Sequence, residues 1–206
     1  MISKSAFLFP NEADNCSCVK PSANAVAEHL DANTTKELAE RNKLVTNDLT
    51  KAISDLNQTV QSKPSTDVVE GKINNINALL QEAITVRVEK NQLTNSTVKG
   101  QAVSDIADEA LERYREAYGI EEGKSAAGHN TIVNMADYQS AKAIAAKAQE
   151  MFDEAKQLTS TSAAITKVSD DLIQFKNYID TKTTYDKVNS YMEDTLDPDI
   201  KAAFKL

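Results

Sequence analysis

The fold of this chain is decided by residues 141–179, which read AKAIAAKAQEMFDEAKQLTSTSAAITKVSDDLIQFKNYI. They lie in a stretch without glycine or proline that extends from Gly128 to Pro198. Within it, apolar residues recur at alternating steps of three and four, the spacing that places side chains on one face of a helix. These residues are Ala141, Ile144, Ala148, Met151, Ala155 and Leu158, followed by Ile165, Val168, Leu172, Phe175 and Ile179. The pattern predicts long amphipathic helices and therefore an all-α fold.

The apolar spacing slips once, at the polar tract of residues 159–162. One interpretation is a turn between two antiparallel helices, and the other is a single continuous helix. A helix over residues 130–180 would be about 75 Å long, which is more than a compact bundle needs. The slip therefore favours the turn.

A second stretch without proline lies between Pro21 and Pro64 and carries another seam of apolar residues. Thr34 stands three residues before Glu37, a capping-box signature that predicts a helix start. The seam residues at heptad a and d positions are Leu38, Asn42, Val45, Leu49, Ala52 and Leu56. They fit a coiled coil with one polar a position at Asn42, and equally an ordinary bundle helix with one polar edge.

Further breaks divide the rest of the chain. Pro64 ends the seam helix, and a short loop there favours an antiparallel hairpin with a helix over 66–93. Residues 95–100 are predicted to form a loop, and the following helix to stop at Gly119.

Three more signals lie in the last third of the chain. Asn130 is a plausible helix N-cap, and residues 181–184 suggest a break. Asp197 and Pro198 form a suitable cap and first-turn pair for a last short helix. We predict a multi-helix bundle of antiparallel hairpins with coiled-coil-like seams. Its predicted parts are an irregular N-terminal arm (1–21), a first helical half (22–118), a loop or hinge (119–129) and a second helical half (130–206).

The net charge of −8 restricts the class of partner. A chain with this balance lacks the electrostatic attraction that dominates nucleic-acid binding, and it is not attracted to anionic membranes. Seven acids stand against two bases between Asp105 and Glu122. The acidic helix face that carries Glu109, Glu112 and Glu116 is either a solvated surface or a docking site for a basic protein.

The N-terminal arm contains a small apolar group, Phe7, Leu8 and Phe9. This run is too short for a secretory signal, and no run of about 18 apolar residues predicts a membrane span. We expect the chain to be cytoplasmic or part of an assembled particle. The phenylalanines are candidates for docking on the body of the protein or on a neighbouring subunit.

One segment resembles a phosphate-binding loop in part. Gly119-Ile120-Glu121-Glu122-Gly123-Lys124-Ser125 ends in the Gly-Lys-Ser of such a loop, but Tyr118 stands where the first glycine is required. The segment also follows a predicted helix instead of a strand, and its two glutamates would repel phosphate. A loop between helices is the better interpretation.

The sequence offers few residues in the spacing that a metal site or an acid–base catalytic site requires. Cys16, Cys18, His29 and His129 could supply four ligands, but they lack the close pair spacing of zinc sites. Two groups of acids fall on neighbouring helix turns without a Glu-x-x-His partner. These groups are Asp108, Glu109 and Glu112, and Glu150, Asp153 and Glu154. We expect no catalytic site, no metal and no cofactor.

The sequence therefore favours a non-enzymatic structural or assembly protein. It would pack through its helical faces and N-terminal arm into a homo-oligomer or a larger complex, such as a virion or tail. The alternative is an acidic helical adaptor or chaperone that binds a basic protein through the 105–122 face. A metal protein or enzyme without a recognisable motif is the third hypothesis.

Overall fold

The computed structural model of the chain describes residues 32–62, 64–124, 126, 128, 131–160 and 162–206. Of these residues 82% are helical, and none of them belongs to a strand. The prediction of an all-α protein is confirmed. The predicted arm at 1–21 lies outside the described residues.

The chain divides into two compact units, Met1–Lys90 and Asn91–Leu206. The sequence predicted the division in the loop at 119–129, about thirty residues later. The difference arises because the helix before that loop packs into the second unit. Its residues Val103, Ala107 and Tyr114 are fully buried in the same core as residues from all the later helices.

The described residues of the first unit form two long helices, α1 (Ala32–Gln61) and α2 (Thr66–Arg87), which pack against each other. Pro64 and Ser65 separate them, as predicted. The helix expected over 66–93 is interrupted at Val88, which is extended, and the short helix α3 (Lys90–Leu93) follows. Buried side chains from both α1 and α2 form one core.

Asn42 interrupts α1 and does not occupy a regular polar a position. Its backbone is non-helical, with φ −153° and ψ 92°. Its side-chain Oδ1 accepts hydrogen bonds from the backbone N–H of Leu44 at 3.1 Å and of Val45 at 3.2 Å. Asn42 is therefore an N-cap for the helical segment that follows it. Of the two interpretations left open by the sequence, the regular coiled-coil seam through Asn42 does not fit this backbone, because the amide competes with the backbone for these bonds.

Replacing Asn42 with alanine should lower the free energy of unfolding by about 1 kcal/mol, because two backbone N–H groups lose their acceptor. Asn42→Asp keeps a side-chain oxygen at the same position and serves as the matched control. Urea unfolding followed by far-UV circular dichroism measures both. Equal stability of the alanine and aspartate variants would show that the cap contributes nothing.

After α3, the described residues of the second unit contain five further α-helices. They are α4 (Ser96–Ala117), α5 (Met135–Ala155), α6 (Ala163–Asp180), α7 (Tyr185–Tyr191) and α8 (Asp197–Phe204). A 3₁₀ turn (Lys156–Leu158) extends α5, and a π-helical turn (Met192–Leu196) joins α7 to α8. The most extensive contact is between α4 and α5. Both helices contribute fully buried alanines to the core, and such small side chains favour close packing.

The polar tract at 159–162 separates α5 from α6, so the chain has two helices here and not a single continuous one. The hydroxyl of Ser162 accepts a hydrogen bond from the backbone N–H of Ile165 at 3.3 Å and caps α6. The predicted break at 181–184 is also present, between α6 and α7. Serine and threonine hydroxyls satisfy the free backbone groups at such helix ends, which is why these tracts end helices without glycine or proline.

Two helix starts lie at other positions than predicted. Residues 95–100 are not a loop, because α4 begins at Ser96 with Asn95 as its N-cap, and Gly100 lies buried inside the helix. The helix expected at Asn130 begins at Met135. Its N-cap is Asn134, whose Oδ1 accepts from the backbone N–H of Ala136 at 3.1 Å.

No new helix begins at Asp197. Leu196 and Asp197 are both helical, so the backbone continues from α7 through the π turn into α8. The backbone N–H of Asp197 bonds to the carbonyl of Met192, five residues earlier. A π turn directly before Pro198 accommodates a residue that has no N–H to donate. Here the proline changes the pitch of the helix and does not start it.

Candidate interaction surfaces

The predicted seam residues of α1 lie inside the first unit. Leu38 is 4% exposed, Val45 2%, Leu49 1% and Leu56 5%, and they share a core with residues of α2. These side chains therefore hold the two helices together and are not free to bind a partner.

The buried face of α1 is also wider than an a/d seam. Thr46, Ile53 and Val60 are buried as well, and each lies at a position beside the predicted seam. Three buried positions per heptad are typical of a bundle helix, whereas a two-stranded coiled coil needs two. This width favours the bundle interpretation of the two that the sequence left open.

Helix α2 exposes apolar side chains on both sides of its buried line. That line consists of Val69, Ile76 and Ala83. At 100° per residue the remaining apolar residues fall into two groups beside it. We call these groups the α2 flanks: Val68, Leu79 and Val86 on one side, and Ile73, Leu80 and Ile84 on the other. Val68 is 47% exposed and Ile84 44%, and the other four are half-buried.

The charge of the chain is unevenly distributed between the units. Residues 32–90 contain eight acids and eight bases and are formally neutral. Residues 91–206 contain nineteen acids and thirteen bases, a net charge of −6. With residues 1–31 included the first unit carries a net charge of −2, so its exposed apolar side chains stand on a surface of low net charge, which repels a second copy only weakly.

The acidic face of α4 is compensated within the helix. Arg113 pairs with Glu109 and with Glu116, at 3.0 Å each, and Arg115 pairs with Glu112 at 2.5 Å. Burial disfavours the charged form of Arg113, but Glu116 and Glu109 outweigh it and raise the pKa of this guanidinium. The three glutamates predicted to attract a basic partner already have cationic partners in the same helix.

The segment that resembles a phosphate-binding loop is closed against α4. Gly119 and Gly123 adopt positive φ values of 68° and 71°, as expected in a turn after a helix. Arg115 donates from Nη1 to the carbonyl oxygen of Ile120, whose side chain is 3% exposed and packs in the core. The loop therefore connects helices, and its Ser125 lies outside the described residues.

The candidate metal ligands do not form a site in the part of the chain that is described. Cys16, Cys18, His29 and His129 lie outside it. Within it, no group of three or more His, Cys, Asp or Glu side chains is placed to hold a metal ion. The acids near the end of α5 are paired with lysines instead. The pairs are Glu150 with Lys147, Asp153 with Lys156, and Glu154 with Lys99.

A depression of about 610 Å³ lies beside the turn between α5 and α6. Its lining residues are Lys156, Gln157, Thr159, Ile165, Thr166, Ser169 and Asp170. The hydroxyl of Thr166 donates to the carbonyl of Ser162, and no histidine or cysteine stands beside the hydroxyls to activate them. This lining is that of a surface groove and does not supply a nucleophile with its base.

The second unit contains a buried tyrosine cluster that the sequence analysis did not single out. Tyr114 donates its hydroxyl to the carbonyl of Thr183 at 2.5 Å, and Tyr138 donates to that of Asp180 at 3.1 Å. Tyr118 lies edge-on to Tyr114 at 5.2 Å and reaches the same turn. Burial raises the pKa of Tyr114, and the bond to Tyr118 raises it further. The cluster satisfies the carbonyls at the end of α6, a structural role.

No helix in the described part of the chain combines the length and the apolar content needed to cross a bilayer. Comparisons with protein-family models, with curated protein sequences and with solved structures find no match. The function must therefore be inferred from the surfaces described above.

Proposed function

We propose that this chain is a non-enzymatic assembly protein that self-associates through its first unit. The two α1–α2 units of neighbouring copies pack through the α2 flanks and build a homo-oligomer or a larger complex. The observation that carries this proposal is the pair of apolar flanks on α2, with Val68 and Ile84 each more than two-fifths exposed.

A pair of helices can bury only one stripe along each member. In a layer architecture the remaining apolar positions need a third or fourth helix to cover them. The half-buried Ile73, Leu79 and Leu80 beside the core of the first unit are such positions. In the proposed assembly α1 and α2 form an antiparallel hairpin, and two hairpins form a four-helix bundle with coiled-coil-like seams.

Charge supports a second copy of the first unit as the occupant of the flanks. The second unit, with its net charge of −6, repels another copy of itself more strongly than the first unit, which carries a net charge of −2 over Met1–Lys90. Contact through the first unit also leaves the acidic surfaces free to face solvent and keep the assembly dispersed.

The other proposed contact is the N-terminal arm. Phe7, Leu8 and Phe9 lie outside the described residues, so their docking on a neighbouring copy stays a prediction. The same holds for membership of a particle such as a virion or tail. The alternative of an acidic adaptor or chaperone is less well supported, because Glu109, Glu112 and Glu116 are already paired with arginines.

Charged substitutions on the flanks test this proposal. Val68→Glu combined with Ile84→Glu should reduce the mass measured by size-exclusion light scattering from a multiple of 22.5 kDa to that of one chain. Buried glutamates would be desolvated in the assembly, whereas they remain hydrated in the single chain. Ile173→Glu, a 56% exposed position of the second unit, is the matched control and should leave the mass unchanged.

Two outcomes would count against the proposal. One is an unchanged mass for the double variant with its helical circular dichroism intact. The other is loss of assembly with Ile173→Glu but not with the flank variant, which would place the contact on the second unit.

A further inference from the structure

Two aspartates from different helices meet at the contact between α6 and α8. Asp171 of α6 is only 8% exposed, α6 packs against α8, and Asp171 and Asp199 of α8 shift the pKa of each other. Tyr191 donates its hydroxyl to Oδ1 of Asp171 at 2.9 Å. The other oxygen, Oδ2 of Asp171, is buried and accepts no hydrogen bond. A buried carboxylate oxygen without a donor is costly, so this atom requires an explanation.

Lys167 of α6 is the cation whose charge acts on both carboxyl groups. Nζ of Lys167 lies 2.5 Å from Oδ2 of Asp199, and its side chain is 59% exposed. The ring of Tyr178 of α6 lies edge-on to the ring of Tyr191, with the two centroids 5.2 Å apart. The ammonium group of Lys187 of α7 lies over the face of the Tyr178 ring.

Two further charged groups of α8 are engaged away from the aspartate pair. Asp197 and Lys201 of α8 pair with each other, and Asp197 also accepts a hydrogen bond from Ser104 of α4. Burial and the charge of Asp197 raise the pKa of Asp108 of α4, whereas the charge of Lys201 lowers it. With Lys167 as the neighbouring cation, full ionisation would therefore leave the aspartate pair with one uncompensated negative charge.

A proton between the two carboxyl groups gives the buried Oδ2 of Asp171 a hydrogen bond and removes the uncompensated negative charge. Protonated Asp171 becomes a donor from Oδ2 to Asp199, and its Oδ1 still accepts from Tyr191. Burial raises the pKa of Asp171, and Asp199 raises it further, against the bond from Tyr191. Burial opposes ionisation of Asp199 too, but Lys167 and the bond from Asp171 outweigh it and lower its pKa. Carboxyl pairs in proteins commonly divide one proton in this way.

We propose that Asp171 and Asp199 share one proton and form a proton-dependent latch that holds the C-terminal helical segment, residues 185–204, on α6. Loss of the proton places the negative charge of buried Asp171 opposite that of half-buried Asp199 across the contact. The latch is independent of the proposed self-association, because it lies in the second unit.

The direction of the pH dependence follows from the two shifts. Because the pKa of Asp171 is raised by folding, its contribution to stability is present at low pH and is lost as the pH rises through the folded value. Because the pKa of Asp199 is lowered, its contribution is lost as the pH falls through its folded value. The segment is therefore held most firmly between these two titrations, where the pair carries one proton.

Asp171→Asn tests the latch, because asparagine imitates the protonated acid permanently. Its Nδ2 can donate to Asp199 while its Oδ1 accepts from Tyr191. We expect a melting temperature above that of the wild type by on the order of 4 °C at pH values above the titration of Asp171, with the difference vanishing at pH values below that titration. Hydrogen exchange should show the added protection in residues 185–204. Asp170→Asn, an exposed neighbour on α6, is the matched control and should show no such pH-dependent gain.

The carboxyl ¹³C chemical shifts of the wild-type protein give a second measurement that needs no variant. The latch predicts that Asp171 titrates above the ordinary range of aspartate and that Asp199 titrates below it. An ordinary titration of Asp171 would overturn the proposal. A variant Asp171→Asn that is less stable than the wild type by the same amount at every pH would also overturn it.

Discussion

Replacing Gly100 with alanine is expected to lower the free energy of unfolding of the second unit by about 2 kcal/mol. Gly100 lies inside α4, directly under Phe204 of α8. An added Cβ would be 2.8 Å from Cδ2 of Phe204 and closer still to its Cγ and Cβ. Those near atoms cannot swing away, since Phe204 is buried and its carbonyl accepts a hydrogen bond from Thr97 at 3.2 Å. The overlap therefore outweighs the gain of about 1 kcal/mol in helix propensity.

Gly71 supplies the matched control for this substitution. It lies in α2, and a methyl group added there would have no neighbouring atom within 4 Å. Gly71→Ala should therefore stabilise the protein by about 0.5–1 kcal/mol. Urea unfolding of the two variants should thus give changes of opposite sign. The loss from Gly100→Ala should shrink in a Phe204→Ala background, where the ring is absent. A stabilising Gly100→Ala would mean that α4 and α8 are not in contact as described.

Replacing Phe152 with alanine should have the largest effect on stability, a loss of about 3–5 kcal/mol. Phe152 of α5 is fully buried, and its ring meets that of Phe204 edge-on with centroids 6.2 Å apart. Truncation removes the buried ring and leaves a cavity between α5 and α8. The hydrophobic contribution and the aromatic contact are lost together.

Ile173→Ala is the comparison for this truncation, because Ile173 of α6 is 56% exposed. A change within about 0.5 kcal/mol is expected there. Equilibrium unfolding monitored by circular dichroism measures both. If Phe152→Ala lost less than about 1 kcal/mol, Phe152 would not be part of the core.

The sequence predicted the parts of the fold that depend on local pattern. Three-four spacing identified the helices, and the polar tracts at 159–162 and 181–184 marked their breaks, because hydroxyl side chains compete locally for backbone groups. These signals need no knowledge of distant residues. The antiparallel arrangement of the helices remains a prediction.

The predictions that differ from the structure share one cause. The same short sequence pattern can occur in more than one kind of local structure. Glycine usually marks a loop, but Gly100 is needed for the close approach of Phe204, a residue more than a hundred positions away. Asn42 fits a polar seam position and an N-cap equally well, and its φ value decides for the cap. Asp197 and Pro198 resemble a helix start but follow a π turn in a continuous helix.

The candidate surfaces were less predictable than the fold. Apolar residues on α1 were found by spacing, but spacing does not tell a residue that binds α2, such as Leu49, from one that binds another chain. The α2 flanks became visible only when Val69, Ile76 and Ala83 were seen to be buried between them. The aspartate pair of α6 and α8 leaves no sequence signal, because its members belong to separate helices.

Native mass spectrometry of the full chain over a range of concentrations tests the central claim most directly. Self-association through the first unit predicts a discrete multiple of 22.5 kDa that becomes more populated as the concentration rises. A single chain of 22.5 kDa at every concentration would contradict it.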